Sequence, residues 1–223
     1  DLWMQPFRPG DQASALAALA DRLQAHQPFH LRLSLRDGAL DFPDTAGESP
    51  DGFVETLIPP PDLVVVGAGE DARPLVQMAA GLGFRVTVVD HRTAFLTADR
   101  FPAAHRLVVA RPERGVGDLP LHADSLVVLM THAVKLDTAW AQQVAATPVR
   151  YLGLLGPRAR REEVLSHLPD AARERAYGPA GLDVGAEGAE QIALSILAEA
   201  LAVRAGRPGG SLRVRTRPLH DVH

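Results

Sequence analysis

The sequence contains no cysteine, which excludes disulfides, thiolate catalysis and cysteine-ligated metals within the chain. It has no long basic run, and its formal net charge is −4, so nucleic acid is excluded as the main partner. Arg158, Arg160 and Arg161 cluster locally but are too few to form a binding stripe. No uninterrupted apolar run approaches membrane length, and the start, Asp1-Leu2-Trp3, lacks the plan of a signal peptide. The default location is the cytoplasm. No Ser-His-Asp set, HExxH motif or paired-carboxylate arrangement stands out. What remains is ordinary globular material: 46% hydrophobic and 22% charged over 223 residues, enough for one domain plus a small extension.

Asp11 reads as the N-cap of a helix running to about Gln24, with Leu16, Leu19, Ala20 and Leu23 at helical spacing. Phe29, Leu31, Leu33 and Leu35 alternate with polar residues, the period of a half-buried strand. Arg36-Asp37-Gly38 supplies a hairpin turn toward Leu40 and Phe42, and Phe53–Ile58 reads as a third strand. These elements form a small α+β segment over residues 1–60, with too little apolar material for a stable unit by itself. Pro59-Pro60-Pro61 marks the boundary.

From residue 61 to about 206 the pattern changes to short Val/Leu runs alternating with helices. Strands are expected at Leu63–Val66, Val86–Val89, Leu107–Val109, Leu126–Met130 and Val149–Gly153. Helices are expected over Asp71–Leu82 (core stripe Leu75, Met78, Ala79, Leu82; stop at Gly83), through Trp140 and Val144, from Pro157, and over Glu187–Arg204. Near-continuous apolar strands between helices predict a Rossmann-like, doubly wound α/β fold, its parallel sheet covered on both faces. Residues 207–223 are rich in Gly, Pro and Arg and read as a tail or surface-hugging arm.

Ligands of such a sheet bind beyond the carboxyl ends of its strands. Four unusual sequences fall there: Gly67-Ala68-Gly69, Asp90-His91-Arg92, Thr131-His132 and Gly156-Pro157-Arg158. The first, with an acid about twenty residues on, matches most of the dinucleotide-binding fingerprint, although Ala72 holds the third glycine position. Glu70 and Asp71 work against an anion there, since they occupy the positive end of the helix themselves. Asp90 can accept from a ribose diol or simply cap a turn, while Arg92 suits a phosphate. Thr131 is an N-cap candidate, and His132 is either a surface residue or a phosphate donor and acid–base group. Arg158, at a Gly-Pro helix start, is placed to fork onto a phosphate. Asp183 and Glu187 read as caps of the last helix rather than cation ligands. His220 and His223 have metal-compatible spacing but sit in a tail that rarely builds a closed site, so no metal site is assigned.

Taken together, four segments and the tail at Gly209–Arg213 resemble the xanthine dehydrogenase accessory factors, the XdhC/CoxI family. The segments are Val64–Arg92 (VVVGAGEDARPLVQMAAGLGFRVTVVDHR), Met130-Thr131-His132, Tyr151–Arg158 (YLGLLGPR) and Gly181–Glu199 (GLDVGAEGAEQIALSILAE). The resemblance runs from about Pro59 to the C-terminus. It implies a Rossmann-like domain and a role in maturing molybdenum hydroxylases: binding molybdenum cofactor, as molybdopterin or its dinucleotide, and assisting its sulfuration with a cysteine desulfurase. Delivery to the apo molybdenum hydroxylase follows, and a homodimer is implied as well. Such a cofactor chaperone need not be an enzyme. The resemblance departs at the N-terminal side, where the family's glycine-rich, cysteine-containing segment has no counterpart. Trp3 followed directly by Met4 suggests that residues are missing between two family segments.

Two other functions fit the fingerprint. One is an NAD(P)-dependent oxidoreductase, against which stands the lack of an acid/base pair placed for hydride chemistry. The other is a Rossmann-like scaffold with a vestigial site whose surfaces bind protein partners.

Overall fold

The computed structural model describes residues 13–25, 27–47 and 49–216. The N-cap candidate Asp11, the Trp3–Met4 junction and the tail histidines His220 and His223 lie outside the described residues. The chain divides into two compact units between Pro60 and Pro61. Unit one carries a helix, α1 (Ala13–Gln24), and strands β1 (Phe29–Ser34), β2 (Leu40–Asp41) and β3 (Gly52–Leu57). They form an antiparallel sheet in the order β2-β1-β3, with the expected hairpin closed by a bond from the Gly38 N–H to the Ser34 carbonyl. Gly38 adopts φ 71°, which the turn requires and which glycine adopts without cost. No residue of α1 or of these three strands is fully buried.

Unit two is built on a six-stranded, all-parallel sheet. Its strands are β4 (Asp62–Val66), β5 (Arg85–Asp90), β6 (Arg106–Val109), β7 (Leu126–Leu129), β8 (Tyr151–Leu154) and β9 (Ala176–Tyr177). The spatial order is β6-β5-β4-β7-β8-β9, so strand order reverses between β4 and β7. Such a reversal is where open parallel sheets place their ligand sites. The sixth strand, β9, and the one-turn helix α5 (Asp170–Arg173) were not anticipated from the sequence.

Because successive strand residues face opposite ways, the Val runs feed two cores at once. Leu63 and Val65 pack with Val86, Val88 and Tyr151 against α2 (Ala72–Gly81) and α6 (Gly188–Arg204). Val64 and Val66 pack with Val127, Leu129 and Leu152 against α3 (Val134–Ala145), α4 (Arg158–Ser166) and α5. The predicted doubly wound architecture is therefore present. The stretches after β5 and β6, however, hold only 3-10 turns at Thr93–Phe95 and Pro112–Arg114.

The buried face of α2 differs from the expected stripe. Ala72, Leu75, Val76 and Ala79 are buried, Met78 is half-buried, and Leu82 is 53% exposed. The helix ends one residue earlier than expected, and the chain turns at Gly83 (φ 85°). The Phe84 N–H reaches the Ala79 carbonyl and the Gly83 N–H the Ala80 carbonyl, a Schellman closure that throws Leu82 outward. Val76 takes the buried place because α2 packs on α6 as well as on the sheet. Leu75→Ala is expected to cost about 3 kcal/mol and Leu82→Ala under about 0.5 kcal/mol, read as midpoint shifts in denaturant unfolding. Equal losses would contradict this packing.

Candidate functional site

All four predicted segments emerge at the carboxyl edge of the second unit's sheet. Gly67, directly after β4, has φ 113°, and its N–H donates to the Val89 carbonyl at 2.8 Å. A Cβ at this position would lie 2.5 Å from the Met130 carbonyl oxygen and 3.0 Å from Thr131 Cα. Only glycine lets the β4 turn and the β7 turn approach this closely. Ala68 is fully buried beneath the turn. The N–H groups of Gly69, Glu70 and Asp71, which lead into α2, have no hydrogen-bond acceptor among the described residues. Unclaimed donors at the positive end of a helix form an anion-binding concavity.

Glu70 is matched by two guanidinium groups, and Asp71 by an imidazole contact. Glu70 lies 3.0 Å from the Arg73 guanidinium and 2.8 Å from that of Arg100, and these two, Arg73 first, hold its carboxyl below its usual range. Asp71 lies 3.3 Å from His132 Nε2. The repulsion of an anion expected from Glu70 is therefore offset by its two arginine partners. His132 adopts φ 58°, and it is the one non-glycine residue with positive φ among the described residues. A strained backbone of this kind holds a side chain where unstrained geometry would not. Here it sets the imidazole over the glycine turn, with a Cβ built at Gly69 3.6 Å from Nε2.

Asp90, at the end of β5, is 5% exposed and accepts from four donors. These are the N–H groups of Ala68 (2.8 Å) and Arg92 (2.9 Å), Arg92 Nε (3.0 Å) and Arg92 Nη2 (2.8 Å). Burial pushes the carboxyl upward, but the Arg92 and backbone hydrogen bonds outweigh it and lower the pKa from 3.8 to about 2. Both oxygens are thus engaged inside the protein. Arg92 is drawn onto Asp90 and lies 4.0 Å over the Phe95 ring, which leaves its guanidinium partly exposed. His91 Nδ1 stands 3.4 Å from Asp90.

Thr131 is not the N-cap of α3; Ala133 holds that position. Thr131 is instead locked by bonds from its N–H (3.2 Å) and Oγ1 (2.6 Å) to Asp137 Oδ1. Asp137 is 2% exposed and pairs through its other oxygen with Arg160 Nε (3.1 Å) and Nη2. Gly156, at φ 122°, lets this arginine pass: a Cβ there would lie 2.8 Å from Arg160 Cδ. Pro157 occupies the N-cap of α4, and Arg158 extends into solvent beside Glu162 (2.9 Å). The structure therefore gathers Gly67 to Gly69, Asp90 to Arg92 and Thr131-His132 around one turn. Gly156 joins them through Arg160 and Asp137, while Arg158 stands apart. Sequence reasoning missed Arg100, Asp137 and Arg160. Only the buried acid inside an amphipathic helix, Asp137, left a signal that could have been read.

Glu187 does hold the N-cap position of α6, yet its side chain makes no capping bond; its N–H donates to Gln191 Oε1 instead. Asp183 lies outside that helix and caps nothing. Among the described residues no three His, Asp or Glu side chains gather as metal ligands, and no helix is long and apolar enough to cross a membrane. A cavity of about 520 Å³ lies beside the turn rather than on the strand edge, lined by Glu70, Arg73, Arg100, Phe101 and Glu190 among others.

Residues 63–200 match the family model of the XdhC Rossmann domain. The chain belongs to the XdhC family. It is 36% identical over 154 residues to a Bacillus subtilis (strain 168) protein named as a probable subunit of xanthine dehydrogenase, covering 68% of this chain and 46% of that one. It is 32% identical over 204 residues to the uncharacterized Escherichia coli (strain K12) protein YqeB, covering 88% of this chain and 37% of that one. The chain thus spans less than half the length of either curated relative. A solved Bacillus halodurans structure, described as a xanthine dehydrogenase, superposes with a TM-score of 0.73 at 26% identity, covering 86% of this chain and 67% of the other.

The depressed Asp90 pKa carries a stability consequence. Its contribution is fully present above the unfolded value near 3.8 and is lost as pH falls through the folded value of about 2. In acid unfolding, Asp90→Asn is expected to cost on the order of 2 kcal/mol at neutral pH and to flatten the loss between about pH 4 and 2. An unchanged acid limb would contradict the role given to Asp90.

Proposed function

We propose that this XdhC-family chain is part of an accessory factor for a molybdenum hydroxylase of the xanthine dehydrogenase type, and that its glycine turn holds the phosphate-bearing end of molybdenum cofactor. The observation that carries this reading is the β4–α2 turn: three unclaimed N–H groups at a helix start, with Glu70 already balanced by Arg73 and Arg100 and Asp71 in contact with His132. A phosphate or pyrophosphate fits that chemistry. The name carried by the Bacillus subtilis relative supports the xanthine dehydrogenase context. At the metal end the fit is absent: the chain has no cysteine, and no ligand cluster gathers among the described residues. The assignment therefore concerns the phosphate end alone. The apo-hydroxylase as recipient, a cysteine desulfurase as sulfur donor and a homodimer belong to the same proposal.

Asp90 argues against ordinary NAD. A ribose diol needs free carboxylate acceptors at the end of the second strand, and both oxygens here are taken by internal donors. Calorimetric titration with molybdopterin, its dinucleotide and NAD(P) tests the proposal. Binding of the pterin ligands, with NAD(P) weaker, is expected. Tight NAD(P) binding without pterin affinity overturns it, and binding of none favours a protein-docking scaffold. In the same assay Arg158→Ala, which removes an 82%-exposed side chain that pairs with Glu162 and stands apart from the turn, is expected to leave pterin binding unchanged. It is expected to change stability by less than about 0.5 kcal/mol. A clear loss of pterin affinity would instead bring Arg158 into the site.

A further inference from the structure

The cavity of about 520 Å³ beside the glycine turn has the size of a small-molecule site, and the phosphate reading gives it no role. One side of it follows the chain from the turn into α2, where Glu70, Arg73, Pro74 and Gln77 recur at helical spacing. The stretch 99–103 and the start of α6, Ala189 and Glu190, supply the rest. Glu70 belongs both to the turn and to this wall, so the cavity adjoins the candidate phosphate site directly.

Its lining is selective. Pro74, Val76, Phe101 and Pro102 offer apolar surface to a flat ring. Asp99 and Glu190 are exposed carboxylates with no hydrogen-bond or ion-pair partner among the described residues. Arg100 spends Nη2 on Glu70 and on the Ala68 carbonyl, which leaves Nη1 without an acceptor among the described residues. Its Nε is buried with no acceptor either, so this arginine, fixed against the turn, has donor capacity unspent. Free acceptors and a free donor around apolar surface match a neutral ring that presents N–H groups beside a carbonyl. The 2-amino-4-oxo-pyrimidine ring has that edge: an exocyclic amine and a ring N–H next to a carbonyl. Adenine presents a ring-nitrogen lone pair there, which a carboxylate repels. A metal cation is disfavoured by Arg73 and Arg100 in the same wall, and no cluster of metal ligands gathers among the described residues.

We propose that this cavity seats a 2-amino-4-oxo-pyrimidine ring of the ligand whose phosphate is held at the glycine turn. Asp99 and Glu190 accept from the ring's N–H groups, and Arg100 donates to its carbonyl. Both a pterin head and a guanine nucleoside carry this edge. The proposal rests on the turn being a phosphate site, and it adds a reason for the weaker binding expected of NAD(P), whose purine lacks the edge.

Calorimetry with GDP, IDP, ADP and 6-hydroxymethylpterin diphosphate is the test, on the wild-type chain and on the double variant Asp99→Ala/Glu190→Ala. GDP or the pterin diphosphate is expected to bind the wild-type chain at least about tenfold more tightly than IDP and ADP, since IDP lacks only the amine of GDP. The tighter of the two identifies the source of the ring. The double variant is expected to bring that ligand down to the affinity of ADP. Melting is expected to fall by no more than about 3 °C, because both side chains are exposed and unpaired. Equal binding of all four diphosphates, or a preference that survives in the double variant, overturns the ring subsite and leaves the phosphate reading standing. Guanosine or 6-hydroxymethylpterin binding as tightly as its diphosphate supports the ring subsite and overturns the phosphate reading. Binding of none overturns both.

Discussion

The carboxylate of Asp90 holds the candidate site together. It ties the turn after the first parallel strand to the end of the second, through the Ala68 N–H on one side and the Arg92 backbone and guanidinium on the other. A buried carboxylate with four donors persists as the anion because removing any one donor leaves charge uncompensated in a poorly solvated place. Arg92 is thereby fixed over Phe95, and Arg100 reaches the same ring from 5.1 Å while donating to the Ala68 carbonyl. Ala68 is held at both its N–H and its carbonyl. The following three N–H groups lead into α2 from a turn with little freedom left to lose, and a preorganised turn binds an anion at smaller entropic cost.

A residue that ordinarily recognises the ligand has here become part of the scaffold. In a dinucleotide site the acid at the end of the second strand faces a ribose. In this chain the same position, at the same spacing, is occupied by a carboxylate whose acceptors are spent on Arg92. The glycine spacing alone cannot distinguish these two uses, because both need the acid at the same distance from the turn. The difference lies in the residue two positions on and in the aromatic ring that holds it.

How much of this was legible follows from the range of the interactions. The Val runs of β4, β5 and β7 declared themselves because each strand buries both faces, and the reversal at Gly83 followed from a local helix-stop signal. β9 escaped because Ala176-Tyr177 is two residues long and has no periodicity to show. Leu82 was misassigned because the helix closes one residue early at Gly83, and Val76 was missed because its burial depends on α6, more than a hundred residues away in sequence. Glu70 read as repulsive to an anion because one of its two arginine partners, Arg100, lies far along the chain. Charge balance at a site is a tertiary property, and counting the signs within one loop gives the wrong sum.

Gly156 shows the same principle from the other side. A glycine before a proline at a helix start suggests a backbone opened for a phosphate. Here its lack of a side chain makes room for Arg160 Cδ on the way to Asp137. Asp137 in turn fixes the N–H and hydroxyl of Thr131, immediately before the strained His132. A buried pair of this kind adds little net stability over apolar packing, but breaking it by removing one partner is costly. Its effect is therefore geometric. Thr131 is pinned by Asp137 behind and by the Met130–Gly67 approach in front, so the backbone has little room to relax the left-handed turn at His132. The glycine of the second rim thus acts on the first through Arg160 and Asp137.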